Sequence, residues 1–217
     1  MHKSVKNKIL RCIILLIGLI IAHFGVTLYL LVDLGADPFN VLVQGVFRRL
    51  EVVINHPFLT HGNVHIVISL MIIVTLLIVD RGYVKIGTVL CMVFGGPIID
   101  FFTMILTPLS IGSYPLGIKI VLEILACVIL ALGMSIVIKS DAGTGPNDLV
   151  AVVLSDKTHK KFSIVRVLTD VTFVVIGFLL GGVWGMGTII CAFLVGPVAG
   201  FFLPHSERFV KRIVKEN

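Results

Sequence analysis

The chain has 217 residues, of which 57% are hydrophobic and 14% are charged, and its mean hydropathy is +1.09. Soluble domains are about 45–50% apolar and about 25% charged, so this composition excludes an ordinary soluble domain. The formal net charge of +6 does not indicate a nucleic-acid-binding face, because the Lys and Arg residues lie mostly between apolar stretches or at their ends, as membrane topology requires. The four Cys residues occur singly within such stretches, so neither a disulfide framework nor a metal site is expected.

Six apolar stretches have the length that a bilayer-spanning helix requires, about 20 residues. In chain order they are 12–32, 64–80, 86–107, 118–138, 164–181 and 187–204. Two further apolar segments, 41–47 and 149–154, are too short and run into charged residues, so they are predicted to be short helices rather than crossings. The sequence therefore predicts an all-α membrane protein with six transmembrane helices, and one integral membrane domain over residues 1–217.

The positions of the basic residues predict the orientation in the membrane. With the N-terminus in the cytoplasm, every Lys and Arg except Arg48, Arg49 and Lys119 falls on the cytoplasmic side, including those of a basic tail at 206–217. An excess of Lys and Arg is typical of cytoplasmic loops. Both termini are therefore predicted to be cytoplasmic.

The second half of the chain repeats the first. Residues 25–38 match 133–146 at an offset of 108, with an Asp, two Gly and a Pro in common, and residues 87–102 match 187–202 at an offset of 100. Each repeat, at about 10–107 and about 118–205, contains three predicted spans. Because three is an odd number, the repeats are expected to be inverted in the membrane, an architecture that many secondary transporters use.

A Gly- and Pro-containing turn follows the first and the fourth span, and each turn leads into one of the short helices. Pro38 and Pro146 lie where these helices begin, a position where the missing N–H costs nothing. If the short helices re-enter the bilayer, their first N–H groups need partners from protein, water or ligand. The polar residues of the turns are therefore predicted to bind substrate: Asp33, Asp37, Asn40, Asp141, Asn147 and Asp148.

The charge of the ligand stays open at this point. Free N–H groups at a helix start favour an anion, whereas clustered Asp side chains favour a cation or amine, and a zwitterion or proton-coupled solute satisfies both. For Asp33 and Asp141, at the ends of their spans, the alternative role is to cap or brace the following turn.

Three acidic residues, Asp100, Glu123 and Asp170, lie inside predicted spans several residues from the nearest end. A charged side chain at the bilayer centre costs about 2.5–3.5 kcal/mol on insertion scales, so such residues mark functional sites or internal partners. We predict that they line a path for protons or ions. The alternative is a hydrogen-bonded structural acid, which for Asp170 includes a pair with Arg166 four residues earlier.

The last span of each half contains a Gly-Pro pair. Gly96 with Pro97, and Gly196 with Pro197, are predicted to be hinges, because Pro inside a helix removes a backbone hydrogen bond and favours a kink.

Motifs for catalysis or metal binding are absent from the sequence. There is no H-E-x-x-H, G-x-S-x-G or P-loop pattern, so an enzyme is not predicted. His61 and His65 have the spacing of two metal ligands on one helix face, but no nearby carboxylate or Cys completes a site. We predict neither a metal nor a cofactor.

The two turns read Gly35-Ala-Asp-Pro-Phe-Asn40 and Gly143-Thr-Gly-Pro-Asn-Asp148, and Gly-Thr and Gly-Pro pairs recur at 87–88, 96–97, 187–188 and 196–197. These motifs resemble those of the YczE/YyaS/YitT-type bacterial membrane proteins, most closely the YczE-like members, over nearly the whole chain. Relative to that family, Asp37 and Asn40 replace a Gly and an Asp, and Asn147 replaces an Arg. The resemblance implies a multispanning protein of the bacterial cytoplasmic membrane.

These features together predict a secondary transporter or permease for a small solute, with the lipid bilayer and that solute as its partners and no nucleic acid. The alternative is a non-transporting scaffold or accessory protein for a biosynthetic or envelope complex. Such a protein would act with a membrane partner protein or as a homo-oligomer.

Overall fold

The computed structural model describes residues 2–54 and 56–214, which form eight α-helices joined by short loops and 3-10 turns. The helices are α1 (His2–Val32), α2 (Pro38–Ile54), α3 (His61–Val79), α4 (Ile86–Leu106), α5 (Leu116–Ser140), α6 (Pro146–Thr158), α7 (Phe162–Leu179) and α8 (Met186–Val214). The predicted all-α class is confirmed for these residues.

Five of the described helices are long and apolar enough to cross a membrane, and they are α1, α3, α4, α5 and α8. The sixth predicted span, 164–181, coincides with α7, an 18-residue helix that is not among these five. Two charged residues, Arg166 and Asp170, lie in α7. The crossing of the membrane by α7 therefore stays a prediction.

The two short helices are longer than the apolar segments that predicted them. Pro38 begins α2, which has 17 residues and continues through Arg48, Arg49 and Glu51, and Pro146 begins the 13-residue α6. At 1.5 Å per residue these helices are about 20–25 Å long, shorter than the hydrocarbon core of about 30 Å. They are short helices, as the sequence predicts.

The basic tail is helical as far as the structure describes it. Helix α8 continues through Pro204 to Val214, and residues 215–217 lie outside the described residues. The Ser206 hydroxyl contacts the Ser135 hydroxyl at 2.7 Å, and Lys139 forms an ion pair with Glu207 at 2.6 Å. This segment therefore packs against the end of α5.

Helices α1 and α5 form the centre of the fold, with α4 packed on α1 and α8 packed on α5. Small residues allow the central pair to approach closely: a Cβ built on Gly18 would lie 2.9 Å from the carbonyl oxygen of Gly133. The adjoining core contains the fully buried side chains of Tyr29, Ala126 and Cys127.

The turns that follow α1 and α5 make equivalent, exchanged contacts. The N–H of Gly187, at the start of α8, donates to the carbonyl of Leu34 at 2.9 Å, and the N–H of Gly87, at the start of α4, donates to the carbonyl of Ala142 at 2.9 Å. Each turn is thus attached to a helix from the other half of the chain.

The two halves differ in how the outer helix packs. Helix α3 lies directly on α4, where a Cβ on Gly96 would overlap the carbonyl oxygen of Gly62. No comparable packing joins α7 to α8 in the described part of the chain, and α7 packs on α2 instead. Among the described residues, a Cβ on Gly196 or Gly200 would meet no atom within 4 Å apart from the neighbouring backbone of α8. In the described residues, the α3–α4 interface of the first half is therefore closely packed, whereas the equivalent α7 and α8 of the second half are apart.

Candidate functional site

The two Pro-led turns converge on one cavity of 570 Å³. It is lined by residues 37–40 of the first turn and 144–148 of the second, with walls from α1, α3, α5, α7 and α8. Four of the six predicted substrate contacts therefore meet in one space, namely Asp37, Asn40, Asn147 and Asp148.

Asp37 caps the start of α2. Its carboxylate accepts a hydrogen bond from the Asn40 backbone N–H at 3.3 Å and another from the Asn40 side-chain amide at 2.8 Å. The Asn40 side-chain oxygen contacts His61 Nε2 at 3.1 Å. Burial raises the pKa of the Asp37 carboxyl, and the two bonds from Asn40 oppose this rise. A free N–H at the start of α2 is thus satisfied by the protein itself.

Among the described residues that line the cavity, Arg166 is the only Lys or Arg. Its guanidinium donates to Asp148 at 2.5 Å and, through Nε, to Asp170 at 3.0 Å. The Asn147 side-chain amide also donates to Asp148, at 3.2 Å. The side chains of Asp148 and Asp170 are 21% and 28% exposed, and that of Arg166 is 26% exposed. The arginine joins the start of α6 to α7.

From the sequence, Arg166 is predicted only as a possible partner of Asp170. Their spacing of four residues is visible in the sequence, but the contact with Asp148 joins residues 18 apart on different helices. Position 147, next to Asp148 in the chain, is an Asn. The guanidinium beside Asp148 comes instead from α7.

Two histidines that the sequence does not predict at this site, His23 and His65, also line the cavity. His65 is 5% exposed, and its Nδ1 is buried without a hydrogen-bond partner in the described residues. Its ring lies 5.6 Å from that of His23, whose Nδ1 contacts the Leu19 carbonyl at 3.0 Å. Nothing in the linear spacing of His23 and His65 indicates that α1 and α3 bring them together.

Asp33 and Asp141, the other two predicted substrate contacts, are not among the cavity-lining residues. Both have a left-handed backbone with φ of 56° at the end of a central helix. Asp33 pairs with Arg48 at 3.0 Å, and Asp141 pairs with Lys85 at 3.1 Å. Their geometry favours the alternative role of bracing the turns.

Asp100 likewise does not line the cavity. Its carboxylate accepts from the Thr60 hydroxyl at 2.6 Å and from the Gly62 backbone N–H at 2.9 Å, so both oxygens hold the start of α3. This geometry favours the alternative of a hydrogen-bonded structural acid.

We expect Asp100→Ala to lower the free energy of unfolding by about 2 kcal/mol, because two hydrogen bonds to a carboxylate are lost and the α3 start is left unpaired. Thermal unfolding of the purified protein in detergent measures this. Asp156→Ala is the matched control, because Asp156 accepts one bond from the exposed Tyr83 hydroxyl. Equal melting temperatures for the two variants would contradict the assignment.

Glu123 is fully buried, and neither carboxylate oxygen has a hydrogen-bond partner in the described residues. It faces the start of α8, where a Cβ on Gly187 would lie 2.5 Å from Oε2, and it does not line the cavity. An uncompensated charge at such a place is costly. Its role in an ion path stays a prediction, as does that of Asp170, which does line the cavity.

The predicted hinges lie within unbroken helices, Pro97 inside α4 and Pro197 inside α8. Gly96 is packed against Gly62, whereas Gly196 lines the cavity. Across the described residues, no three His, Cys, Asp or Glu side chains are grouped in a way that would hold a metal ion.

The chain is similar to known proteins along most of its length. Residues 9–204 match the family of unknown function DUF6198. The chain belongs to this family. It is 32% identical over 207 residues to the uncharacterized membrane protein YczE of Bacillus subtilis (strain 168), covering 95% of this chain and 91% of that protein. It is 23% identical over 193 residues to the uncharacterized protein YyaS of the same organism, covering 88% of this chain and 92% of YyaS.

A third relative is an uncharacterized protein of Haemophilus influenzae, 29% identical over 190 residues, which cover 88% of this chain and 82% of that protein. No solved structure matches the chain. The predicted resemblance to YczE and YyaS is confirmed, and this DUF6198 protein is a multi-pass membrane protein.

Proposed function

We propose that this protein is a secondary transporter for a small organic solute, not an enzyme, and that the cavity between the two turns is the solute site. The observation that carries the proposal is the convergence of both Pro-led turns on one cavity of 570 Å³. Small-molecule sites have volumes of about 300–1,000 Å³. A scaffold has no need to bring the two turns to a common space.

The contacts of the turns support an inverted-repeat transporter. The Leu34–Gly187 and Ala142–Gly87 hydrogen bonds are equivalent under the sequence repeat, and each crosses between the halves. In transporters built from inverted repeats, the site lies where interrupted helices of the two halves meet. The cavity between the two turns supports a site of this kind.

The ion pairs support the predicted grouping of residues on the same side of the membrane. Arg48 pairs with Asp33, and both residues are predicted to be outside. Lys85 with Asp141 and Lys139 with Glu207 join residues that are predicted to be inside. None of these pairs links opposite predicted sides of the membrane, as the topology requires.

The difference between the halves supports a protein with two states. The α3–α4 interface is closed around Gly62 and Gly96, whereas the equivalent face of α8 at Gly196 is open to the cavity. Alternating access in such folds is largely the rocking of one repeat against the other around a fixed site. In the opposite state we expect α7 to approach α8 and α3 to leave α4.

Cysteine accessibility tests this proposal. In a background lacking Cys12, Cys91, Cys127 and Cys191, Phe39→Cys and Thr144→Cys each place one thiol on the cavity wall, in different turns. We expect both thiols to react with a membrane-impermeant maleimide applied from either side of oriented vesicles, at rates that a proton or solute gradient alters.

Two exposed positions serve as controls for sidedness. Ser113→Cys, predicted outside, and Lys160→Cys, predicted inside, are expected to react from one side only under every condition. If Phe39→Cys and Thr144→Cys each react from a single side as well, with or without gradients, transport is excluded and the scaffold alternative replaces it.

A further inference from the structure

We infer that the cavity takes an organic cation that carries one positively charged group on an apolar body. The inference rests on the proposed function and names the class of solute. Three features support it: an excess of acidic over basic side chains, carboxylates at the N-termini of α2 and α6, and an apolar lining elsewhere.

The acids of the cavity outnumber its basic groups. Asp148 and Asp170 both pair with Arg166, the single Lys or Arg side chain among the lining residues of the described chain, and Asp37 is a third carboxyl. One guanidinium therefore faces three carboxyl groups. An anion brought into this space would meet a net negative field, whereas a cation would be attracted.

The helix starts do not restore a preference for anions. At α2 the Asp37 carboxylate already accepts the N–H of Asn40, and at α6 Asp148 places a carboxylate in the first turn. A carboxylate at a helix N-terminus offsets the partial positive charge of the exposed N–H groups. Of the two ligand charges that the sequence leaves open, the tertiary structure thus favours the positive one.

A second and independent feature indicates a ligand in this space. His65 is 5% exposed and lines the cavity, yet its Nδ1 has no hydrogen-bond partner in the described residues. Buried polar atoms without a partner are uncommon in folded proteins and need an explanation, such as a bound molecule. A neutral histidine nitrogen accepts a hydrogen bond, which suits an N–H of a protonated amine.

The remaining walls are apolar and suit the body of the solute. The lining includes Leu19, Ala22 and Val26 of α1 and Leu130 and Val137 of α5. A sugar or another polyhydroxylated solute would lose its water there without gaining hydrogen bonds, which is costly. An aliphatic or aromatic group would gain from leaving water.

Binding of three matched probes to the purified protein tests the inference. Benzyltrimethylammonium is the cation, neopentylbenzene is the neutral compound of the same shape, and benzenesulfonate is the anion. We expect only the cation to raise the melting temperature with increasing concentration. Because quaternary ammonium cannot donate to His65, benzylamine at pH 7 is expected to bind at least as well.

Substitutions at the acids locate the binding. Asp170→Asn is expected to weaken benzyltrimethylammonium binding at least about tenfold, roughly the 1.4 kcal/mol of one partly buried charge contact. Asp156→Asn, near the C-terminal end of α6, is expected to leave benzyltrimethylammonium binding unchanged, because Asp156 contacts Tyr83 and does not line the cavity.

The outcomes separate this inference from the proposed function. Stabilisation by benzenesulfonate or neopentylbenzene but not by the cation, with the cavity thiols still reactive from both sides, overturns the cation class and leaves transport standing. Cation binding that Asp170→Asn and Asp156→Asn affect equally also overturns it. Thiols reactive from one side only would instead overturn the proposed function.

Discussion

We expect Gly96→Ala to lower the free energy of unfolding by about 3 kcal/mol. The added methyl group would overlap the carbonyl oxygen of Gly62. This oxygen belongs to the backbone of α3, so it cannot move away without separating α3 from α4. Overpacking of a close contact costs about 1–3 kcal/mol. We expect a cost at the upper end of this range because the overlapped atom is in the backbone and cannot move as a side chain can. Thermal or denaturant unfolding in detergent measures the loss.

Gly196→Ala is the matched control, because Gly196 occupies the same place in the sequence repeat and also precedes a proline. A Cβ there would meet no described atom within 4 Å beyond adjacent α8 backbone, and Ala is favoured over Gly in a helix by about 1 kcal/mol. We expect Gly196→Ala to be neutral or slightly stabilising in this state. If both variants were destabilised equally, the asymmetry of the two interfaces would be wrong.

The second large effect is expected for Arg166→Gln. Removal of the guanidinium leaves Asp148 and Asp170 partly buried and without their counter-charge. Loss of one partner from a buried pair costs about 3–5 kcal/mol, and because these side chains retain some exposure we expect about 3 kcal/mol. The melting temperature in detergent should fall accordingly.

A combined variant distinguishes charge imbalance from lost packing. Arg166→Gln together with Asp148→Asn is expected to recover part of the stability, since one uncompensated carboxylate is removed. Arg48→Gln is the exposed comparison: its pair with Asp33 is 41% and 50% exposed, and such pairs contribute about 0–1 kcal/mol. A melting temperature for Arg166→Gln equal to that of Arg48→Gln would contradict the bridging role.

The helical class and the starts of the short helices were predictable because local rules decide them. A bilayer leaves no unpaired backbone groups, so long apolar stretches become helices, and Pro38 and Pro146 take the first helical position in both halves. The repeat also anticipated equivalent turns: Asp33 and Asp141 share a φ of 56°. Each of these features depends on residues close together in the chain.

The site itself was only half predictable. The turn motifs predicted Asp37, Asn40, Asn147 and Asp148, but they also included Asp33 and Asp141, whose side chains form ion pairs away from the cavity. The direction of a side chain beside a turn depends on which partner comes within reach. That partner is supplied by another helix.

The sequence by itself determined the membrane class, the helical elements and the two turns, because composition, helix length and turn chemistry are local properties. Only the tertiary structure decided that the turns meet in one cavity and that Arg166 joins Asp148 to Asp170. It also decided that, in the described part of the chain, α3 packs closely on α4 while α7 has no comparable contact with α8. These features depend on how helices distant in the chain pack, and an apolar helix surface has no simple periodicity that identifies its neighbour, because lipid and protein accept the same side chains.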